Sequence, residues 1–351
     1  MDKYEHGGDI YGNQNITLDF SVNINPLGMP DPVRQALISR VDEFSHYPDP
    51  HSRELSAAIA RYENVRPDHV VCGNGAADLI YRMCYAAKPR RALICAPTFS
   101  EYERALEQSG CRITYYNLTA GNGFAFTDDI PEQLIPGIDM IFLCHPNNPT
   151  GRLIPQGLME RILNKAQTIR AIVVVDECFL DFTDGVSAKQ YLEEMPGLVI
   201  LKAFTKIYAM AGLRLGYLLN SDAGLLQKIN AVAQCWSVSV PAQIAGVAAL
   251  SCIGWVEDTQ RLVAQERSFL YESLGEFDVE RFPSDANFLL LRSRQSLYAP
   301  LLQKGILIRS CENFRGLDRS FYRIGVKTRD ENSRLIRVIR EYCERNGLIN
   351  G

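Results

Sequence analysis

The chain has 351 residues, 46% apolar and 22% charged, enough for one large core and one smaller one and, at about 150 residues each, about two domains. A net charge of −4 without any Lys/Arg run argues against nucleic acid or an anionic membrane surface as the main partner. The apolar runs (92–97, 140–144 and 171–175) fall far short of the roughly 20 residues that cross a bilayer.

The first fifteen residues are polar and lack the apolar core of a signal peptide. The ten cysteines are scattered without a CxxC pair, and several stand inside apolar runs. They read as small buried thiols in a reducing compartment, so no metal site and a cytoplasmic location are expected.

Strands are predicted at 70–72, 91–95, 112–117, 139–144, 171–175, 198–202 and 214–219, with helical patterns between several of them, such as 99–109 and 155–168. Strands apolar on both faces and separated by helices predict an α/β fold: a mostly parallel central sheet flanked by helices. After about residue 240 the texture changes. Two helical stretches (241–252 and 254–275) precede strands at 279–281, 287–292, 306–309 and 321–326 and a closing helix at 329–346. The expected division is an N-terminal arm at 1–40 joining a small α+β domain at 241–351, around a large domain at 41–240.

Ligands of α/β sheets gather at the carboxyl ends of strands. Gly73-Asn74-Gly75-Ala76-Ala77-Asp78 follows the first strand and opens a helical pattern. Glycines let backbone N–H groups approach an anion, and a helix N-terminus favours negative charge. His145-Pro146-Asn147-Asn148-Pro149-Thr150-Gly151 follows 139–144, and by itself reads as a turn. Asp176, closing 171–175, is either a helix cap or a buried carboxylate that needs a cationic partner. In the segment 199–216, VILKAFTKIYAMAGLRLG, Lys202 and Lys206 both stand in apolar surroundings. Desolvation favours the neutral amine, which can form a Schiff base. Arg214 in the same stretch needs an anion.

Asn148-Pro149-Thr150-Gly151, Asp176, Thr205-Lys206 and Arg214 together resemble the ordered signature of fold-type I pyridoxal 5′-phosphate (PLP) enzymes, the aspartate aminotransferase superfamily. The resemblance covers nearly the whole chain. It implies a large PLP-binding domain plus a smaller α+β domain, and it selects Lys206 as the residue bonded to the cofactor. It further implies that Asp176 pairs with the pyridine nitrogen, Asn148 donates to the ring's phenolic oxygen, and Phe99 stacks on the ring. Gly75, Ala76, Thr205 and Arg214 would hold the cofactor phosphate. Tyr47, in His46-Tyr47-Pro48-Asp49, resembles the tyrosine that reaches this phosphate from the second subunit, which implies a homodimer. Arg323 resembles the arginine that clamps the substrate carboxylate. One departure is Ala203, where relatives commonly carry a hydroxyl side chain bonding the cofactor phosphate.

Two groups of that superfamily compete, the histidinol-phosphate aminotransferases and the threonine-phosphate decarboxylases of cobalamin synthesis. His6-Gly7-Gly8, the segment 20–28 (FSVNINPLG), Asp176-Glu177-Cys178-Phe179 and the segment 306–318 (ILIRSCENFRGLD) look more like the decarboxylases. Phe179 stands where the aminotransferases usually place a tyrosine, and it cannot hydrogen-bond. The resemblance implies a small phosphorylated amino acid as substrate, with His6, Gly7, Asn25, Asn148, Arg309 and Arg323 around it and Arg315 a further phosphate candidate. The expected reaction is decarboxylation of L-threonine O-3-phosphate. Alternatives are an aminotransferase, a phosphoserine decarboxylase and, from another class, an effector-binding regulator.

Overall fold

The computed structural model describes residues 6–12 and 15–346, so residues 1–5 and 13–14 of the predicted arm lie outside it. Among the described residues the strands are, in chain order, β1 (Leu18–Asp19), β2 (Val70–Gly73), β3 (Arg91–Ala96), β4 (Arg112–Asn117), β5 (Met140–Cys144), β6 (Ile172–Asp176) and β7 (Leu198–Ala203). They continue with β8 (Gly216–Leu219), β9 (Glu280–Arg281), β10 (Phe288–Arg292), β11 (Ile306–Leu307), β12 (Arg309–Ser310) and β13 (Phe321–Gly325).

The seven strands expected in the first 240 residues form one sheet, ordered β2-β8-β7-β6-β5-β3-β4. All neighbours run parallel except β8, which is antiparallel to both β2 and β7. Every residue of β5 and β7 is buried, because helices cover both faces. Val199 and Leu201 pack with Phe142 and Val174 under the helices Gly75–Ala87 and Ser100–Gln108. Leu198 and Ile200 face the other way, toward Ile141, Val173 and the helix Gln156–Ile169. The two-residue period of a strand thus divides one apolar run between two cores.

A second, antiparallel sheet has the order β12-β13-β10-β9. Leu289, Leu291 and Ile324 of this sheet pack against Leu270 and Leu335 of the helices Trp255–Ser273 and Arg329–Asn346. The predicted strand 306–309 is split between two partners. Ile306 and Leu307 pair in parallel with Leu18 and Asp19, whereas Arg309 and Ser310 pair with Arg323 and Tyr322. The helix Val240–Leu250 lies against the helices Asp31–Ser39 and Arg53–Glu63, and Val33, Leu55, Ala242 and Ala245 share the core of the large sheet.

The topology brings several chain reversals to one edge. Parallel β3, β5, β6 and β7 end there, β2 ends there too, and antiparallel β8 begins there. Residues 74–76, 97–99, 145–151, 176–178 and 204–214 therefore converge although up to 140 positions separate them. No single helix among the described residues is long and apolar enough to cross a membrane.

Candidate active site

A cavity of about 290 Å³ opens at that edge, between the large sheet and β12–β13. Lys206 lines it, on the short helix Phe204–Ile207 that follows β7. Burial, helped by the nearby charges of Arg323 and Arg214, pulls its ammonium down to about 8. The other apolar-context lysine behaves oppositely. Lys202 Nζ lies 3.2 Å from Glu63 Oε1 and 3.1 Å from Asp181 Oδ1. Burial alone would lower its pKa, but Asp181, Glu63 and Glu177 together hold it well above the ordinary value. Lys202 is a fixed buried cation; Lys206 is an amine that can become neutral near physiological pH.

Asp176 ends β6, paired with Cys144 and Leu201, and is 5% exposed. Its Oδ2 accepts from Tyr102 Oη at 2.5 Å and its Oδ1 from the Cys178 N–H at 2.9 Å. Among the described residues no ion pair includes it, and burial raises its pKa. A buried carboxylate with neutral donors only is short of a cation. Sequence reasoning missed Tyr102, which stacks on Phe142 at 4.9 Å and meets the edge of Phe99 at 5.6 Å. Its one signal was its place three residues after Phe99 at a helix start, where both side chains share a face.

Ala76, Thr205 and Arg214 line the same end of the cavity. Gly75 starts the helix Gly75–Ala87 with φ +80°, and a Cβ there would stand 2.7 Å from Arg214 Nη2. A side chain at 75 would displace the guanidinium from the helix N-terminus, where positive charge and backbone N–H groups converge. Ala203 lies on this side too, a methyl group in place of a hydroxyl.

The opposite wall is cationic. Arg323 on β13 donates from Nη1 to Asn148 Oδ1 at 2.5 Å and from Nη2 to the Ser21 carbonyl at 2.7 Å. Its Nε is buried without a partner, and burial lowers its pKa to about 10. Arg309, its cross-strand neighbour on β12, donates to Asn313 Oδ1 at 2.6 Å. His6 lies 5.6 Å from the Phe99 ring, its Nε2 2.9 Å from Glu101 Oε1. A Cβ on Gly7 would stand 2.4 Å from the Ser21 carbonyl oxygen, so only glycine lets the arm lie this close. Phe179 is buried in the lining, edge-on to Phe288 at 5.1 Å.

Asn25 and Arg315 stand outside the cavity, and Tyr47, expected at the neighbouring subunit's site, stands outside its own. Asn25 does not reach the cavity, because its Nδ2 donates to the Ile207 carbonyl and Thr259 Oγ1, both at 2.7 Å, and its Oδ1 accepts from the Leu27 N–H. It braces the turn after Lys206 instead. Asn23, two residues earlier and unremarked in the sequence, lines the cavity with a buried Oδ1 that has no partner. Tyr47 is 78% exposed and stacks on Trp236 at 4.3 Å, outside its own chain's cavity. Arg315 turns away to Glu103.

The aminotransferase class I and II family profile matches residues 15–339, nearly all of the chain. The chain belongs to that family. It is 39% identical to the threonine-phosphate decarboxylase of Salmonella typhimurium, over 95% of each chain. Among solved structures it is similar to a histidinol-phosphate aminotransferase from Clostridium acetobutylicum, with TM-score 0.87 and 29% identity over 93% of this chain and 99% of that one. It is also similar to an L-threonine-O-3-phosphate decarboxylase from Porphyromonas gingivalis, with TM-score 0.85 and 27% identity over the same shares. The aspartate aminotransferase-like fold expected from the sequence is thereby established.

Members of this aminotransferase family work with PLP, and the residues present fit it. Lys206 offers an amine that can be neutral, Asp176 lacks a cation, and Gly75 and Arg214 make an anion cradle. When bound, PLP supplies an electron-withdrawing ring that weakens a bond at the Cα of an amino acid. The protein's part is to orient and to move protons. Tyr102 and Cys178 hold the Asp176 carboxylate in place from both oxygens. Lys206 Nζ, near 8, can give or take a proton at neutral pH.

Proposed function

We propose that this chain is a lyase that decarboxylates L-threonine O-3-phosphate to (R)-1-amino-2-propanol O-2-phosphate. The observation that carries the reading is the charge of the cavity. Lys206, Arg214, Arg309 and Arg323 line it against one carboxylate, Asp176. Arg214 suits the cofactor phosphate, which leaves two arginines for two further anions, a carboxylate and a phosphate on one small substrate. The likeness to decarboxylases in sequence and structure supports the same reading. In this reaction the bond from Cα to the carboxylate breaks, CO₂ leaves, and one proton arrives at Cα from Lys206 Nζ. Arg323, with its Nε–H still unpartnered, and Asn148 are the proposed holders of the carboxylate. Asn23 joins them as a candidate substrate contact on its unpartnered Oδ1.

We also propose a cytoplasmic homodimer in which Tyr47 serves the neighbouring cavity. Its outward position, stacked on half-exposed Trp236, supports this. All ten cysteines are free thiols, as a reducing compartment requires.

The second reading, a histidinol-phosphate-type aminotransferase, rests on the structural likeness to the Clostridium acetobutylicum enzyme. One assay separates the two: phosphothreonine given to the PLP-loaded enzyme with and without 2-oxoglutarate. CO₂ release without the keto acid is expected, and plain threonine should react far more slowly, because the cationic wall is then left unpaired. Glutamate formed from 2-oxoglutarate with no CO₂ would establish the aminotransferase instead.

A further inference from the structure

In the proposed function Arg309 is the arginine that takes the substrate phosphate, and a long side chain on a two-residue strand needs something to aim it. Asn313 accepts from its Nη2 at 2.6 Å, and Phe314 lies against its guanidinium at 5.5 Å. Both residues belong to the loop that follows β12, and Phe314 lines the cavity. The loop's own fastening is Arg315. Its Nη2 donates to Glu103 Oε1 at 2.6 Å, and its guanidinium lies 3.9 Å from the Tyr115 ring centroid. Tyr115 Oη donates to the same Glu103 oxygen at 2.6 Å. Glu103 is buried in the first turn of the helix Ser100–Gln108, the turn that also carries Glu101, the partner of His6.

We propose that Glu103 and Arg315 are positioning residues that aim Arg309 at the substrate phosphate through the loop 311–317. Neither touches the substrate. The pair joins two parts of the chain 212 residues apart, and its charges cancel, so the carboxylate does not oppose an incoming anion. A rigid loop lets Asn313 keep the Arg309 guanidinium in one orientation before the ligand arrives, which lowers the ordering cost of binding. The Arg315 charge is matched by Glu103, so removing it takes away the loop's fastening without taking a charge from the cavity.

This rests on the reading of Arg309 as an anion site, so the test measures anion binding apart from turnover. The probe is labelled inorganic phosphate in equilibrium dialysis against the PLP-loaded enzyme. Arg315→Ala and Glu103→Gln should each weaken phosphate binding roughly tenfold, the scale of one hydrogen bond to a charged group. Arg315→Lys should recover part of the loss. In an Arg309→Ala background the Arg315→Ala change should have almost no further effect, because its route of action is gone. With phosphothreonine, Arg315→Ala should raise KM much more than it lowers kcat. An equal loss with and without Arg309, unchanged phosphate binding in Arg315→Ala, or no phosphate binding by the wild type would each overturn the proposal. Failure of wild-type CO₂ release, with the coupled phosphate losses intact, would overturn only the decarboxylase reading.

Discussion

Lys206 is held in a place hostile to its charge, and this has a consequence for stability in the absence of cofactor. Its pKa falls from 10.5 to about 8 on folding, from burial first and then from Arg323 and Arg214. Below about pH 8 the amine is protonated in both the folded and unfolded states, and folding bears the full cost. Between about 8 and 10.5 the unfolded chain binds the proton more strongly than the folded one, so stability rises with pH. Above 10.5 both are neutral and the cost is gone. The gap between the two values corresponds to at most about 3 kcal/mol. Lys206→Met keeps a similar volume and removes the charge, so PLP-free Lys206→Met should be more stable than PLP-free wild type at pH 7. The advantage should shrink as pH rises through 8 and vanish above 10.5. Paired thermal melts of the two proteins at a series of pH values measure it, while turnover by the PLP-loaded variant should be abolished. A variant that melts below wild type at pH 7, or an advantage that does not change with pH, would refute the reasoning.

Lys202→Met should act in the opposite sense, costing about 3–5 kcal/mol in a denaturant or thermal melt because Glu63 and Asp181 lose their buried cation. A melting temperature equal to wild type would show that these charges do not depend on one another. Asp176→Asn should fold and bind PLP yet lose orders of magnitude in kcat, with Asp176→Glu milder; an unchanged rate would reduce the residue to a cap. Tyr102→Phe removes one hydrogen bond to that carboxylate and should cost about 1.5–3 kcal/mol in stability, read by denaturant unfolding. Mixing inactive Tyr47→Phe and Lys206→Ala protomers should regenerate activity if Tyr47 serves the neighbouring cavity, and no recovery with exchange confirmed would place the site within one chain.

Much of the fold was legible because apolar runs of strand length, separated by helical patterns, admit few arrangements other than a parallel sheet covered on both faces. The strands at 70–72, 91–95, 112–117 and 139–144 appear within a residue of their expected ends. Ala242 and Ala245 of the helix Val240–Leu250, just past the expected boundary at 240, pack in the cluster that holds Val33, Leu55 and residues of both sheets. Nothing local distinguishes an alanine-rich helix that packs on one sheet from one that packs on another. The strand expected at 306–309 is uniformly apolar up to Arg309, while its two halves find partners just over 300 residues apart in sequence.

At the site, the sequence by itself determined which chemistry is present: an amine in apolar surroundings, a carboxylate closing an apolar strand, glycines opening a helix, and arginines in apolar stretches. Those are properties of residue type and immediate neighbours, and neighbours are written in the chain. It left Lys202 and Lys206 physically equivalent until family resemblance chose between them. The tertiary structure separates them, because Glu63 comes from a helix 139 positions away and converts one lysine into a fixed cation. It likewise separated Asn23 from Asn25, two residues apart, one facing the cavity and the other Ile207 and Thr259. Arg315 is turned toward Glu103 and Tyr115, an orientation that no local pattern announces. Direction and charge balance depend on which side chains meet across the fold, and only long-range packing fixes those meetings.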